Sequence, residues 1–115
     1  MKSRLFIWTA ALLMAATASF AHHADLNYDK EHPITLTGTV TEFVFMNPHV
    51  RISFDVKGEN GVVTHWVAEA GPPHRMYRAG FNRDSLRPGD SITVTGGPKK
   101  EKNELFLLEM PKPAR

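Results

Sequence analysis

The sequence contains no cysteine, and this absence excludes several kinds of site. A chain without thiols has no disulfide bonds, no thiol nucleophile, no thiolate metal ligand and no lipid-modified terminal cysteine. Its fold must therefore be stabilised by a hydrophobic core alone. Any metal ligands that it offers must be nitrogen, oxygen or thioether groups.

The chain is also poor in long apolar runs, because the only one extends from Leu5 to Ala16. About a dozen residues are too few for the roughly 20 that a membrane-spanning helix needs. Lys2 and Arg4 precede this run and the small residues Ser19 and Ala21 follow it, which is the order typical of a secretory signal. We therefore predict cleavage after Ala21 and a periplasmic or secreted product without a membrane span.

This predicted cleavage divides the chain into three parts. Residues 1–21 form the signal, residues 22–33 form a histidine-containing N-terminal segment, and residues 34–115 form a single barrel domain. A cut after Ala18 also satisfies the preference for small residues and would place the histidines inside the chain. The cleavage point therefore stays open between Ala18 and Ala21.

An excess of one charge sign is lacking once the signal is removed. The whole chain has 14 basic and 12 acidic residues, and two of the basic residues, Lys2 and Arg4, belong to the signal. The remaining chain is neutral when histidine is neutral, so it has no summed field that would attract a polyanion. We predict that nucleic acid is not a partner.

Alternating apolar and polar residues dominate the rest of the chain and predict β-strands. The segment Ile34–Met46 puts threonines on one face and apolar residues on the other, and Gly38 in its interior predicts a bend or a bulge. A second alternating segment, Val50–Lys57, leads to an Asn-Gly turn that is typical of a tight hairpin. Val62–Ala70 is then the returning strand.

The second half of the sequence predicts one short helix and two further strands. Pro72 and Pro73 open the helix and Gly80 ends it, and the strands follow at 91–95 and 105–110. The order strand, strand, strand, short helix, strand, strand is that of the five-stranded OB barrel. We predict an all-β OB-like barrel with one short helix rather than an open sandwich of the same strands, because closure hides the sheet edges.

Several short motifs recur together in one known family. They are the His-His start at 22–23, Tyr28-Asp29, the Thr-Gly-Thr-Val strand at 37–40, Asn47-Pro48-His49 and the segment RDSLRPGD at 83–90. On these motifs the chain resembles small exported bacterial proteins of domain-of-unknown-function family 6152, over essentially its whole length after the signal. The resemblance implies an exported OB-like barrel and implies no established activity.

Signatures of catalysis are absent from the sequence. The only serines after the signal are Ser53, Ser85 and Ser91, and each belongs to a strand pattern or a turn motif. Asp84 and Asp90 fit the role of turn formers better than that of paired catalytic carboxylates. We therefore predict that the protein is not an enzyme.

Histidine is the remaining chemical signal, with six residues in the chain. His22 is the first residue after the predicted cut, where its α-amino group and imidazole can chelate a metal together. His23 can add a third nitrogen, and so can His49, which an Asn-Pro turn places on the barrel rim beside Met46. Nitrogen-rich sites favour Cu(II) among the common divalent ions. The sequence thus predicts a copper site formed by His22, His23 and His49.

Two other interpretations stay open. The barrel can present Phe43, Phe45, Trp66, Arg75 and Tyr77 to a peptide or a flat small ligand, although large aromatic residues at alternating positions also fill cores. A structural accessory role in the periplasm is the third interpretation. Only the metal hypothesis requires a free histidine at the N-terminus.

Overall fold

The computed structural model describes residues 27–113, which form a small barrel of β-strands with one short helix. The elements in chain order are β1 Ile34–Val44, β2 Arg51–Lys57, β3 Val63–Glu69, α1 Pro73–Arg78, β4 Ser91–Pro98, β5 Glu104–Leu107 and β6 Lys112–Pro113. The predicted signal, its cleavage site at Ala21, and the histidines His22 and His23 lie outside the described residues.

The first strand closes the barrel because it pairs with two different strands along its length. Ile34–Thr39 is antiparallel to β4, and Thr39–Val44 is antiparallel to β2. β3 pairs with β2 and, in parallel, with β5, which in turn pairs with β4. This circular order, with α1 between β3 and β4, is the OB arrangement and confirms the predicted fold.

Gly38 allows β1 to change partners. A Cβ atom at this position would lie 2.3 Å from the backbone carbonyl oxygen of Asp55, so no larger residue fits without displacing β2. The β1–β2 register then shifts between Val40 and Glu42, which is a β-bulge. The glycine and the bulge together bend the long strand, as the interior glycine predicts.

The inward faces of the strands form one core. Its buried residues are Val40, Ile52, Phe54, Ala68, Leu86, Ile92, Val94 and Leu105. Trp66 is half-buried and packs against this cluster, so the alternation in β2, β3 and β4 correctly predicts which side chains point inward. The four threonines of β1 lie on the opposite, exposed face.

A second, smaller cluster fixes the helix over the end of the barrel where β1 leads into β2. Met76 of α1 is buried with Val50 and Ala70, which flank β2 and β3. The helix has six residues and begins at Pro73, and the chain leaves it through Gly80 at a φ of 95°. In residues 27–113 no helix has the length and apolar character needed to cross a bilayer.

The end of the chain differs from the predicted single strand at 105–110. β5 ends at Leu107, and pairing with β4 resumes only in β6 at Lys112–Pro113. Pro111, which is buried between the two strands, has no N–H group to donate to a ladder. Between β5 and β6 the register against β4 slips by two residues, since Leu107 lies opposite Gly96 and Lys112 lies opposite Thr93.

Candidate functional site

Side chains from three parts of the chain meet at the carboxyl end of β3. The Glu69 carboxylate accepts a hydrogen bond of 2.9 Å from the Tyr28 hydroxyl on Oε2. Its other oxygen, Oε1, accepts a hydrogen bond from Nδ1 of His49. Tyr28 precedes β1 and His49 lies in the β1–β2 loop, so one carboxylate links both segments to the barrel wall.

The β2–β3 hairpin places Glu69 at this position. Its register pairs Glu69 directly with Arg51. Both side chains point away from the core, because their neighbours Ile52 and Ala68 are buried and side chains alternate along a strand. His49 lies two residues before Arg51, which brings its ring within reach of the carboxylate.

Glu69 remains ionised at neutral pH despite partial burial. Burial disfavours the charged form, but hydrogen bonds from His49 and Tyr28, together with the nearby charge of Arg51, outweigh this effect. The pKa of Glu69 is therefore lower than its ordinary value of 4.5. A charged acceptor strengthens both of the hydrogen bonds that it receives.

Tyr28 fastens the N-terminal segment to the barrel. It forms a β-bridge with Lys99, and the next residue, Asp29, donates its backbone N–H to the Pro98 carbonyl at 2.8 Å. The Tyr28 ring also packs on Phe106, with 5.8 Å between ring centroids. The segment that leads toward the predicted N-terminus is thus held against β4 and β5.

The Tyr28 hydroxyl is a neutral donor in this arrangement. Burial, the hydrogen bond to Glu69 and the negative charges of Glu69 and Glu104 raise the pKa of Tyr28 above its ordinary value of 10.0. The phenol therefore keeps its proton and donates a hydrogen bond to the carboxylate.

His49 has one ring nitrogen engaged and its side chain is 47% exposed. When Nδ1 donates to a carboxylate, the neutral ring carries its lone pair on Nε2, an arrangement common among metal-ligating histidines. The ring belongs to a shallow cleft lined by Val44, Met46, Asn47, Pro48, His49, Arg51 and Glu69. His49 is thus suited to bind a metal through Nε2, with Glu69 as its orienting partner.

The described part of the chain does not complete a metal site by itself. Within residues 27–113, no three histidine, aspartate or glutamate side chains converge closely enough to hold an ion. Met46 lies on the same cleft as His49 and is 61% exposed, so its thioether is accessible. The other predicted ligands, His22 and His23, belong to the residues that the structure does not describe.

The remaining described histidines lie elsewhere. His65 donates from Nδ1 to Asp55 on the same outward face of the β2–β3 hairpin, and its side chain is 84% exposed. His32 lies 3.0 Å from the Asp29 carboxylate before β1. His74 is exposed on α1. The pair of His65 and Asp55 repeats the chemistry of the His49 pair, four residues earlier along β3 and six residues later along the chain that enters β2.

The residues of the predicted aromatic ligand face are distributed over different environments. Phe43 and Trp66 pack against the main core, and Phe45 packs against the small cluster beneath α1. Arg75 and Tyr77 are exposed on α1. Phe45 and Tyr77 line one cleft beside the helix, and the structure brings only these two of the five together there.

Neither Tyr28 nor Glu69 is predicted as a site residue from the sequence. Tyr28 stood in one of the motifs that carry the family resemblance. The hairpin signal alone misplaces Glu69, because a two-residue Asn-Gly turn would put residue 69 opposite residue 52, whereas the observed register pairs it with Arg51. No local pattern signals that the side chains of Tyr28 and His49 bond to the same carboxylate.

Comparison with known proteins supports the fold and the family. A family model described as "Family of unknown function (DUF6152)" matches residues 10–107. No curated protein matches the chain in sequence. Among solved structures, the mitochondrial single-stranded DNA binding protein Rim1 from S. cerevisiae is similar at a TM-score of 0.54 and 9% identity, over 73% of this chain and 95% of that chain.

A second solved structure, of yeast Stn1 and Ten1, has a TM-score of 0.50 and 10% identity, over 72% of this chain and 43% of the matched chain. At such identities the similarity shows a shared barrel fold.

Proposed function

The chain belongs to the family of unknown function DUF6152, and from that premise we propose that it is an exported periplasmic protein that binds copper through His22, His23 and His49. The observation that carries the proposal is the His49–Glu69 pair, in which a carboxylate orients an accessible imidazole. The signal-like pattern of residues 1–21 supports export. Its removal after Ala21 would leave His22 with a free α-amino group.

The docking of Tyr28 on the barrel supports a meeting of the terminal histidines with His49. Tyr28 and His49 contact opposite oxygens of the same carboxylate, so the segment is anchored beside the candidate ligand. Tyr28 is five positions after His23, and an extended chain of that length spans about 17 Å. This length is ample for His22 or His23 to reach the His49 ring.

The chemistry of these ligands favours copper. An α-amino nitrogen and three imidazole nitrogens give a nitrogen-rich site, which selects Cu(II) among the common divalent ions. Met46 adds a thioether at the edge of the cleft that suits Cu(I). Both oxygens of Glu69 are already engaged, so this residue acts on His49 rather than as a ligand.

We also propose that the protein does not bind nucleic acid. OB proteins that bind single strands use the β2–β3 face and stack bases on aromatic side chains. The outward positions of β2 and β3 in this chain hold Arg51, Ser53, Asp55, Lys57, Val63, His65, Val67 and Glu69. None of these eight residues is phenylalanine, tyrosine or tryptophan, and the neutral charge of the predicted mature chain also disfavours a polyanion.

The same residues suit a copper carrier better than an enzyme. Of the three serines after the predicted signal, Ser85 uses its hydroxyl to accept the Asn82 backbone N–H within a turn. No serine lies among the residues that line the His49 cleft. The proposal therefore assigns His49 to binding, not to the activation of a nucleophile.

Calorimetric titration of Cu(II) into protein that begins at His22 tests the proposal. We expect His49→Gln to weaken binding by about a hundredfold, and Glu69→Gln, which keeps a hydrogen-bond acceptor but loses the charge, by about tenfold. His65→Gln is the matched control, because its pair with Asp55 has the same chemistry at another position and its loss should leave the affinity unchanged.

Two further titrations use the same ligands. A Gly-Ser extension before His22 should weaken binding at constant pH, because it removes the terminal chelate.

Binding should also weaken steeply from pH 7 to pH 5, because protons compete for the amine and imidazole nitrogens. If a variant with His22, His23 and His49 all changed to alanine binds Cu(II) as tightly as the parent, the proposal is wrong.

A further inference from the structure

A second cleft lies between the β1–β2 loop and α1, and apart from Met46 the copper proposal makes no use of its residues. Its lining residues are Phe45, Met46, Asn47, Pro73, Tyr77, Asn82 and Arg83, and its volume is about 500 Å³. Met46 and Asn47 also line the His49 cleft, so the two clefts share the β1–β2 loop. A volume of this size is in the range of small-molecule sites.

The apolar wall of this cleft is unusually accessible. Tyr77 is 70% exposed and Met46 is 61% exposed, the two highest values among large hydrophobic side chains of residues 27–113. Phe45 forms the wall behind them and is steadied by an edge-on contact with Phe43, with 5.9 Å between ring centroids. Large apolar side chains that are exposed together indicate a binding surface.

The polar rim of the cleft is held in place by a turn after α1. The Asn82 backbone N–H donates to Ser85 Oγ at 2.8 Å, and the Asp84 backbone N–H donates to Asn82 Oδ1 at 2.8 Å. Arg83 lies inside this turn, so its backbone is fixed before any ligand arrives. These two hydrogen bonds therefore position the backbone that carries Arg83 at the cleft.

The charge around the cleft is positive. The segment from His74 to Arg87 contains four arginines, at 75, 78, 83 and 87, and a single acidic residue, Asp84. All four arginines are exposed, and Arg83 belongs to the lining itself. A ligand that fits this surface combines an apolar body with a negative charge.

We propose that this cleft binds a small amphipathic carboxylate. The apolar body of the ligand contacts Met46 and Tyr77, and its carboxylate accepts hydrogen bonds from the Arg83 guanidinium, which matches carboxylate geometry. This inference goes beyond the copper proposal and does not depend on it, because it uses neither His49 nor the terminal histidines.

The test compares 3-phenylpropionate with its neutral analogue 3-phenylpropan-1-ol by NMR titration of the processed chain. We expect saturable shifts at Met46, Tyr77 and Asn82, and an affinity for the carboxylate about fivefold higher than for the alcohol, as befits one exposed ion pair. Arg83→Gln should abolish this preference while leaving binding of the alcohol intact. Tyr77→Ala should weaken binding of both compounds.

Two controls make the outcome specific. Arg87→Gln removes an arginine of the same segment that does not line the cleft, and His49→Gln removes the candidate copper ligand, so both should leave carboxylate binding unchanged. The proposal is overturned by shifts that do not saturate, by equal affinity for acid and alcohol, or by a preference that survives Arg83→Gln. Concentration-dependent shifts at these residues without ligand would instead assign the cleft to a second copy of the chain.

Discussion

At Glu69, one side chain joins segments that are far apart in sequence. Its two hydrogen-bonding partners, His49 and Tyr28, are 20 and 41 residues away along the chain. A change at this position therefore affects both the orientation of an imidazole and the docking of the N-terminal segment. A stability measurement and a binding measurement should respond to it together.

The ionisation of Glu69 predicts a dependence of stability on acid. Because the pKa of Glu69 is lowered by folding, its carboxylate contributes stability above the ordinary value of 4.5, and this contribution is lost as the pH falls through the lower pKa of the folded protein. Glu69→Gln should therefore reduce the free energy of unfolding most at neutral pH. The difference between parent and variant should shrink from pH 5 to pH 3 in urea unfolding experiments.

Tyr28→Phe is the companion variant for this measurement. It removes the donor of the 2.9 Å hydrogen bond but keeps the carboxylate and its bond with His49. We expect a loss of about 1 kcal/mol at neutral pH and a pH dependence that is reduced but not abolished. A parent-to-Glu69→Gln difference that stays constant from pH 7 to pH 3 would contradict this account.

At the scale of the elements, the strands were predictable because their signals are local. Alternation in β2 and β3 identifies the inward faces, and Gly38, the Asn-Gly turn and the prolines before α1 act within a few residues of their positions. The break between β5 and β6 was missed, because it depends on how many residues lie between two separate pairings with β4. Alternation cannot reveal where two strands stop pairing.

The candidate site was only partly predictable for a related reason. The Asn-Pro turn places His49 in the β1–β2 loop, as the sequence indicates. Glu69 and Tyr28 join it through hairpin register and through packing on β4 and β5, which are contacts between distant residues. Likewise, alternation predicts that Trp66 points inward but does not by itself decide between packing in the core and contact with a ligand, and the structure shows packing against the core.

Gly38 offers a test of how β1 bends. Gly38→Ala would place a Cβ atom 2.3 Å from the Asp55 carbonyl oxygen, so β1 and β2 must separate, at a cost of about 1–3 kcal/mol in the free energy of unfolding. Gly71→Ala is the matched control, since its Cβ would make only an ordinary contact of 3.5 Å with Arg75. Thermal unfolding that is equally affected by both changes would show that the close approach at Gly38 does not matter.

At the scale of the whole molecule, the barrel is a rigid support for two neighbouring clefts. The β1–β2 loop contributes Met46 and Asn47 to both clefts. Its residue His49 is joined to Tyr28 through Glu69, and α1 packs beside the end of the loop at Val50. The OB barrel by itself does not define an activity, because unrelated functions use this fold. The proposals therefore depend on side chains of the loops and not on the barrel.

The state of the N-terminus decides whether the copper ligands are complete. We predict that the exported protein begins at His22, because small residues flank the cut after Ala21. Intact-mass measurement of the protein isolated from the periplasm checks this prediction, and adding Cu(II) before the measurement reports a bound ion. A product that begins at Ser19 or retains residues 1–21 would remove the terminal chelate from the proposed site.

The pairing of β1 with β4 also governs the order in which the chain can fold. Ile34 lies opposite Gly96, about 60 residues later in the sequence, so closure must wait for a contact of long range. Such contacts slow folding, because the entropy of closing a long loop opposes them until they form. A chain that emerges N-terminus first therefore presents β1, β2 and β3 as an open sheet until residue 96 of 115 has appeared. During that interval the unpaired strand edges are exposed to aggregation, and a holding chaperone would protect them.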